Sequence, residues 1–172
     1  MQKKADIQKA LKRKYPEQIV LVTTRKPEGG ANVMAVGWVA IASEEPLMFM
    51  LGIDDQAYTY ALIRKTKEFV VAFPNEKMAE EVRYVGTRHG QDCDKIAGSG
   101  LRVKPADKIK APLLTDAVAN FECKLVAIYQ PGDCPLIIGK VVAAHENVRP
   151  DVKRIYTVGP GYKISGVRPA IK

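Results

Sequence analysis

Residues 18 to 27 (QIVLVTTRKP) begin with a nearly unbroken run of apolar, largely β-branched side chains and end at a PEGG turn over 27 to 30, the pattern of a core strand entering a tight reversal. Extended character resumes over 31 to 43 (ANVMAVGWVAIAS), turns at EEP (44 to 46), and continues over 46 to 53 (PLMFMLGI). Three such stretches joined by short turns predict a meander. Between 57 and 67 the period changes: Tyr58, Ala61, Leu62 and Lys65 fall at i, i+3, i+4 and i+7, which predicts a short helix. EFVVAFP (68 to 74) then reads as a strand ended by proline. Residues 75 to 88 open on Asn75, able to cap a helix with an acidic first turn, and that helix ends at Gly86. After a Gly- and Asp-rich loop with a short helix (89 to 101), strand-like runs return at about 119 to 129, 136 to 144 and 154 to 158, the first two joined by PGDCP. Ahead of all of these, residues 5 to 14 predict a short basic helix with Ile7, Ala10, Leu11 and Lys14 on one face and Pro16 as its stop.

Six or so strands with two or three short helices, mostly in local antiparallel order, define a mainly β fold with inserted helices. A small β-barrel fits better than a doubly wound sheet, because crossover helices do not alternate regularly with strands. A chain of 172 residues suits one domain, and a domain of that size buries roughly 70% of its unfolded surface, enough for a core and a shaped site. The basic segments 1–16 and 149–172, whose last residues show no clear period, are expected to be partly mobile arms.

The formal net charge of +8 matters through its location. Residues 1 to 16 carry a net +5 and residues 149 to 172 another +5, while 17 to 148 hold 15 basic and 17 acidic side chains. The body of the fold is therefore no basic groove, which speaks against nucleic acid as a partner; a non-enzymatic barrel that grips it with the basic arms stays as one alternative. Cys93, Cys123 and Cys134 lack CxxC spacing, and with His89 and His145 they do not make a zinc set, so no metal is expected and most of the thiols should be small buried hydrophobes. No apolar run reaches the ~20 residues that cross a bilayer, and the N-terminus lacks a secretory h-region. The expectation is a cytoplasmic protein without a membrane partner.

Familiar catalytic motifs are missing: there is no GxSxG, HExxH, GxxxxGK[ST] or GxGxxG. A globular chain so poor in reactive side chains points to a borrowed cofactor. Over residues 29 to 53, GGANVMAVGWVAIASEEPLMFMLGI, a glycine turn leads to an Asn-x-Met strand, a Trp, a Ser ahead of a proline, and an apolar strand. This resembles the flavin-reductase-like family of FMN-binding split barrels, which includes ferric reductases and flavoredoxins. AYTYALIRKTKEFVVAFP (57 to 74) is similar to the family's Thr-containing helix and strand, GQDCDKIAGSGL (90 to 101) to its SGxDxDKF segment, and GDCPLIIGKVVAAH (132 to 145) to its GDHxxxxGxV strand. Four blocks in order are far more specific than any one of them.

By this resemblance Asn32, Val33, Met34 and Ala35 line the pyrimidine side of FMN, with Trp38 as a neighbour. Ala40, Ile41, Ala42 and Ser43 follow the ribityl and phosphate, Thr59 donates to the phosphate at a helix start, and Lys95 supplies charge. Each has a plainer reading. Asn32 reads alternatively as a turn residue, Met34 and Trp38 as core, Ser43 and Thr59 as caps, Lys95 as a solvated partner of Asp92, and His89 as a loop residue. Two departures stand out: Cys134 replaces a histidine that relatives place on the nicotinamide side, and Asp54, Asp55 and Gln56 stand where relatives often carry basic or hydroxyl groups. The function implied is hydride transfer from NADH or NADPH to N5 of FMN and onward delivery to free flavin, ferric chelate or a redox protein, in a homodimer whose two chains border each site. A flavoredoxin-like electron carrier without direct NAD(P)H activity is the alternative.

Overall fold

The computed structural model describes residues 1–166. In chain order the elements are α1 (Ile7–Leu11), β1 (Glu17–Gln18), β2 (Val20–Arg25), β3 (Ala31–Val36), β4 (Val39–Glu44), β5 (Leu47–Gly52), α2 (Tyr58–Thr66) and β6 (Glu68–Phe73). They continue with α3 (Ala79–Gly86), α4 (Lys95–Ser99), β7 (Val103–Lys104), β8 (Leu113–Leu114), β9 (Ala119–Tyr129), β10 (Leu136–Glu146), β11 (Tyr156–Gly159) and β12 (Lys163–Ser165). Among the described residues no helix is long and apolar enough to cross a membrane.

Seven antiparallel strands form the main sheet in the order β3-β2-β6-β9-β10-β5-β4. Its two edge strands, β3 and β4, are consecutive in the chain and separated by only Gly37 and Trp38. Laid flat, the six gaps between seven strands would span about 29 Å, whereas the link from Val36 to Val39 reaches at most about 11 Å. The sheet must therefore curl until its edges meet, which makes it a split barrel. The single strand expected over 31 to 43 is broken at that corner, and the meander is replaced by two hairpins, β2–β3 and β4–β5, that stand at opposite edges.

Strand β2 is buried along almost its whole length because both of its faces are covered. Val20 and Val22 join Phe49, Leu51, Ile63, Phe69 and Val71 in one apolar cluster, with residues of α2 among its members. Ile19 and Leu21, one register away, pack in a second cluster with Val82 and Val85 of α3 and Leu113 and Leu114 of β8. Period-2 alternation thus feeds two cores from one strand.

The C-terminal arm departs from expectation. Up to residue 166 it folds as a hairpin: β12 pairs with β11, and β11 pairs with β1 in a three-stranded sheet. The final residues of the expected arm, 167 to 172, lie outside the described part. At the N-terminus the predicted helix shrinks to the five residues of α1, capped by Asp6 and wholly exposed. Cys123 alone is a buried thiol, pushed up to about 12 by burial, while Cys93 and Cys134 are half-buried.

Candidate functional site

Where the barrel edges meet, two clefts open side by side on β3. The first, about 340 Å³, runs past Met34, Ala35, Gly37 and Trp38 to Gly52, Ile53 and Cys134. The second, about 360 Å³, is bounded by Asn32 and Thr59 and by the segment from Val85 to Gln91, with Lys95 at its back. Met34, Ala35, Asp54 and Tyr162 belong to both, so the two form one bent trough.

Asn32 is only 1% exposed, and its Nδ2 donates to Thr59 Oγ1 at 2.9 Å. The arrangement excludes the turn-residue reading, because the side chain is built into a buried pair. Thr59 Oγ1 spends a lone pair on that contact and keeps its own O–H for another acceptor. Thr59 stands in the first turn of α2, whose N-cap, Ala57, supplies no side-chain acceptor, so the leading N–H groups of the helix stay open. Asn32 Oδ1 is buried without a hydrogen-bond partner among the described residues. It presses on Gly90, where a Cβ would fall 2.0 Å from it, so only glycine fits at that position.

Lys95 is 4% exposed and does not pair with Asp92 in solvent. Its Nζ donates to Val85 O (3.1 Å) and Arg88 O (3.2 Å), which leaves one of three N–H groups for an anion. Burial lowers its pKa to about 8, with the Cys93 thiol opposing weakly. Arg88 and His89, both exposed in the loop after α3, line the same cleft.

Trp38 is 55% exposed and forms a wall of the first cleft, its ring carbons against Gly52, so it is not core. At the same wall the Cys134 thiol is pushed up by partial burial and by the carboxylates of Asp133, Asp54 and Asp55, which holds it protonated at neutral pH. Tyr162 arrives from the C-terminal hairpin, and its hydroxyl donates to Gly86 O at 2.6 Å.

Not every expected residue joins the trough. Val33 is fully buried and turns its side chain into the core with α3. Ala40, Ile41, Ala42 and Ser43 lie on β4, carried to the other edge of the sheet by the Gly37–Trp38 corner, and line neither cleft of their own chain. Conversely, Arg88, His89 and Tyr162 were missed as site residues. The basic stretch between Gly86 and Gly90 was a usable signal for the first two; for Tyr162 the sequence held none, because its place depends on a hairpin folding back across the molecule.

A separate trio, Asp107, Glu122 and His145, has carboxylate and imidazole atoms within 4.8 Å of one another. Glu122 accepts from the backbone N–H groups of Asp107 and Lys108 (2.9 and 2.7 Å) and contacts His145 Nε2 at 2.7 Å, which fastens the 105–111 segment to the barrel.

A family model described as a flavin reductase like domain matches residues 12–158. An uncharacterized protein of Pyrococcus abyssi is 34% identical over 145 residues, 81% of this chain and 83% of its own length. Among solved structures, a flavoredoxin from Methanosarcina acetivorans superposes with a TM-score of 0.86 at 24% identity, covering 100% of this chain and 94% of that one. An FMN-binding protein from Thermus thermophilus gives 0.81 at 20% identity, covering 96% and 94%. At such identities these two likenesses establish a shared fold.

Proposed function

The chain belongs to the flavin reductase like domain family, and from that premise we propose that it holds FMN non-covalently, with the ring in the first cleft and the phosphate in the second. One observation carries this reading: a slot walled by Trp38, Gly52 and Ile53 continues, past Met34 and Ala35 on β3, into a pocket of unspent donors. The Thr59 hydroxyl, the open start of α2 and the third N–H of Lys95 suit a phosphate, and the unpartnered Asn32 Oδ1 suits an N–H or O–H of the cofactor. That the Thermus relative of the same fold is an FMN-binding protein supports the choice.

FMN supplies the hydride acceptor that the side chains lack. The protein binds and orients. Trp38 and Ile53 exclude water from the ring, β3 brings its main chain close through Met34 and Ala35, and Cys134 stays a neutral thiol beside the slot. NADH or NADPH is the proposed donor, with free flavin, ferric chelate or a redox protein as acceptor.

A second reading, an electron carrier without NAD(P)H activity, draws on the carboxylates of Asp54, Asp55 and Asp133 near the first cleft, which disfavour an anionic dinucleotide there. The absorption spectrum of the purified protein and its titration with FMN test the cofactor; no flavin band and no uptake overturn the proposal. Anaerobic mixing of the FMN-loaded protein with NADH and NADPH separates reductase from carrier, since bleaching by neither leaves the carrier.

We also propose a homodimer. Ile41 is 63% exposed on the open edge strand β4, so Ala40 to Ser43 would reach the partner's trough instead of their own.

A further inference from the structure

Charge that is nearly balanced in number over residues 17 to 148 is not balanced in space. The acids Asp54, Asp55 and Asp133 collect around Cys134 at the first cleft. Elsewhere a depression of about 260 Å³ is lined by Arg25, Lys26, Lys65 and Lys110 against a single carboxylate, Glu68. These side chains come from the end of β2 and the turn after it, the last turn of α2, the 105–111 segment and the start of β6, stretches that only the folded chain brings together. We propose that this depression binds a compact polyvalent oxyanion, an oligophosphate or a tricarboxylate, apart from the trough.

Four cations against one carboxylate leave the lining at a formal +3, and Glu68 Oε1 already accepts the Lys110 backbone N–H at 2.7 Å. Among the described residues none of the four cations is held in an ion pair. Arg25, Lys65 and Lys110 are exposed and Lys26 is half-buried, so their charged ends can turn onto a ligand. The positive surface extends past the rim: Lys124 of β9 stands opposite Glu68 of β6 on one side and opposite Lys140 of β10 on the other. Like charges opposed on neighbouring strands repel, and an anion of three or more charges relieves that repulsion. Arg25 offers such a ligand a planar fork and the lysines offer point charges. The C-terminal end of α2 opposes an anion through its partial negative charge, and Arg64, Lys65 and the C-cap Lys67 offset it.

Size narrows the class further. At about 260 Å³ the depression falls below the roughly 300–1,000 Å³ common for small-molecule sites, and no aromatic side chain among its described lining residues could hold a base or a flavin. A bare anion fits. No lining residue is shared with either cleft of the trough. Helix α2 stands between the two places, with Thr59 of its first turn on the trough and Lys65 of its last turn on the depression, roughly 9 Å apart along the axis at 1.5 Å per residue. An anion engaging Arg25, Lys65 and Lys110 bridges the β2–β3 turn, α2 and the 105–111 segment, and thereby stabilises the fold by mass action.

Isothermal titration calorimetry of the full chain at constant ionic strength tests the proposal, with tripolyphosphate, citrate and orthophosphate as probes and each titration run with and without saturating FMN. Tripolyphosphate or citrate should occupy one site per chain at least about tenfold more tightly than orthophosphate, with the same affinity whether or not FMN is present. The tighter of the two probes identifies the source of the charge, phosphate or carboxylate. Lys65→Gln/Lys110→Gln should weaken that binding at least about tenfold, whereas Lys9→Gln/Lys12→Gln, which removes equal charge at the exposed N-terminus, should leave it unchanged. Unfolding midpoints measured without probe show whether the first double variant is intact; if it is not, Arg25→Gln alone should weaken binding about threefold. Three results overturn the inference: no binding by wild type, equal losses in the two double variants, which makes the attraction diffuse, or displacement of the probe by FMN, which puts it in the trough.

Discussion

Lys95 is the residue whose ionisation the site can report. Burial brings its pKa to about 8 from an ordinary 10.5, so the folded protein sheds this proton before the unfolded chain does. A base depressed in this way leaves the fold least stable below pH 8, where the charge is buried, and relieves that cost as pH rises from about 8 to 10.5. Binding of an anion runs the other way, because it needs the ammonium. FMN affinity measured by fluorescence quenching should therefore fall as pH rises past about 8, and Lys95→Met should flatten that profile while lowering affinity at pH 7. A second expectation concerns the contact beneath Asn32. In Gly90→Ala the added methyl would sit 2.0 Å from Oδ1 and 3.2 Å from the Tyr58 ring, so FMN affinity should drop at least about tenfold and the thermal midpoint should fall by several degrees. At this scale Asn32, Met34, Ala35, Thr59 and Lys95 were legible because residue type and block order marked them, and they do line the trough. Val33 was misassigned for a simple reason: on a strand, neighbours of a cleft-facing residue point the other way, and period 2 sends Val33 inward between Asn32 and Met34.

Among the elements, the 105–111 segment shows how a stretch without regular structure is held. Glu122 of β9 and Glu68 of β6 accept its N–H groups, from Asp107, Lys108 and Lys110. Burial alone would raise the Glu122 pKa, but the N–H groups of Asp107 and Lys108 and the His145 ring outweigh it, and the net direction is downward from 4.5. A carboxyl depressed in the fold contributes stability that is present above its ordinary value and lost as pH falls through the lower folded one. Glu122→Gln replaces one acceptor oxygen with a donor facing N–H groups and should cost about 2–3 kcal/mol at pH 7 by urea denaturation, with a smaller difference from wild type at pH 3. Neither the segment nor its fasteners were visible beforehand, because a Glu on a strand reads as a solvated face until a loop is known to cover it. The corner at Gly37–Trp38 was hidden for a related reason. Both flanking runs are extended and apolar, and nothing local distinguishes a straight strand from two that diverge to opposite edges.

For the whole molecule the expected state is a dimer, and light scattering should return about twice the 19.0 kDa chain mass. Ile41→Glu, on the open edge of β4, should shift it toward one chain and weaken FMN retention, whereas a monomeric wild type with full cofactor affinity would remove Ala40 to Ser43 from the site altogether. By itself the sequence determined most of the central strands with α2 and α3, the mainly β class and the family, since apolar period, turn residues and the order of four blocks are properties of neighbours along the chain. Tertiary structure alone decided that β3 and β4 part at Trp38, that Lys95 turns inward, and that Tyr162 crosses to Gly86. Those facts follow from packing the closed sheet, the helices and the C-terminal hairpin against one another, which joins residues as distant in the chain as Gly86 and Tyr162, 76 positions apart, whose attraction no local pattern records.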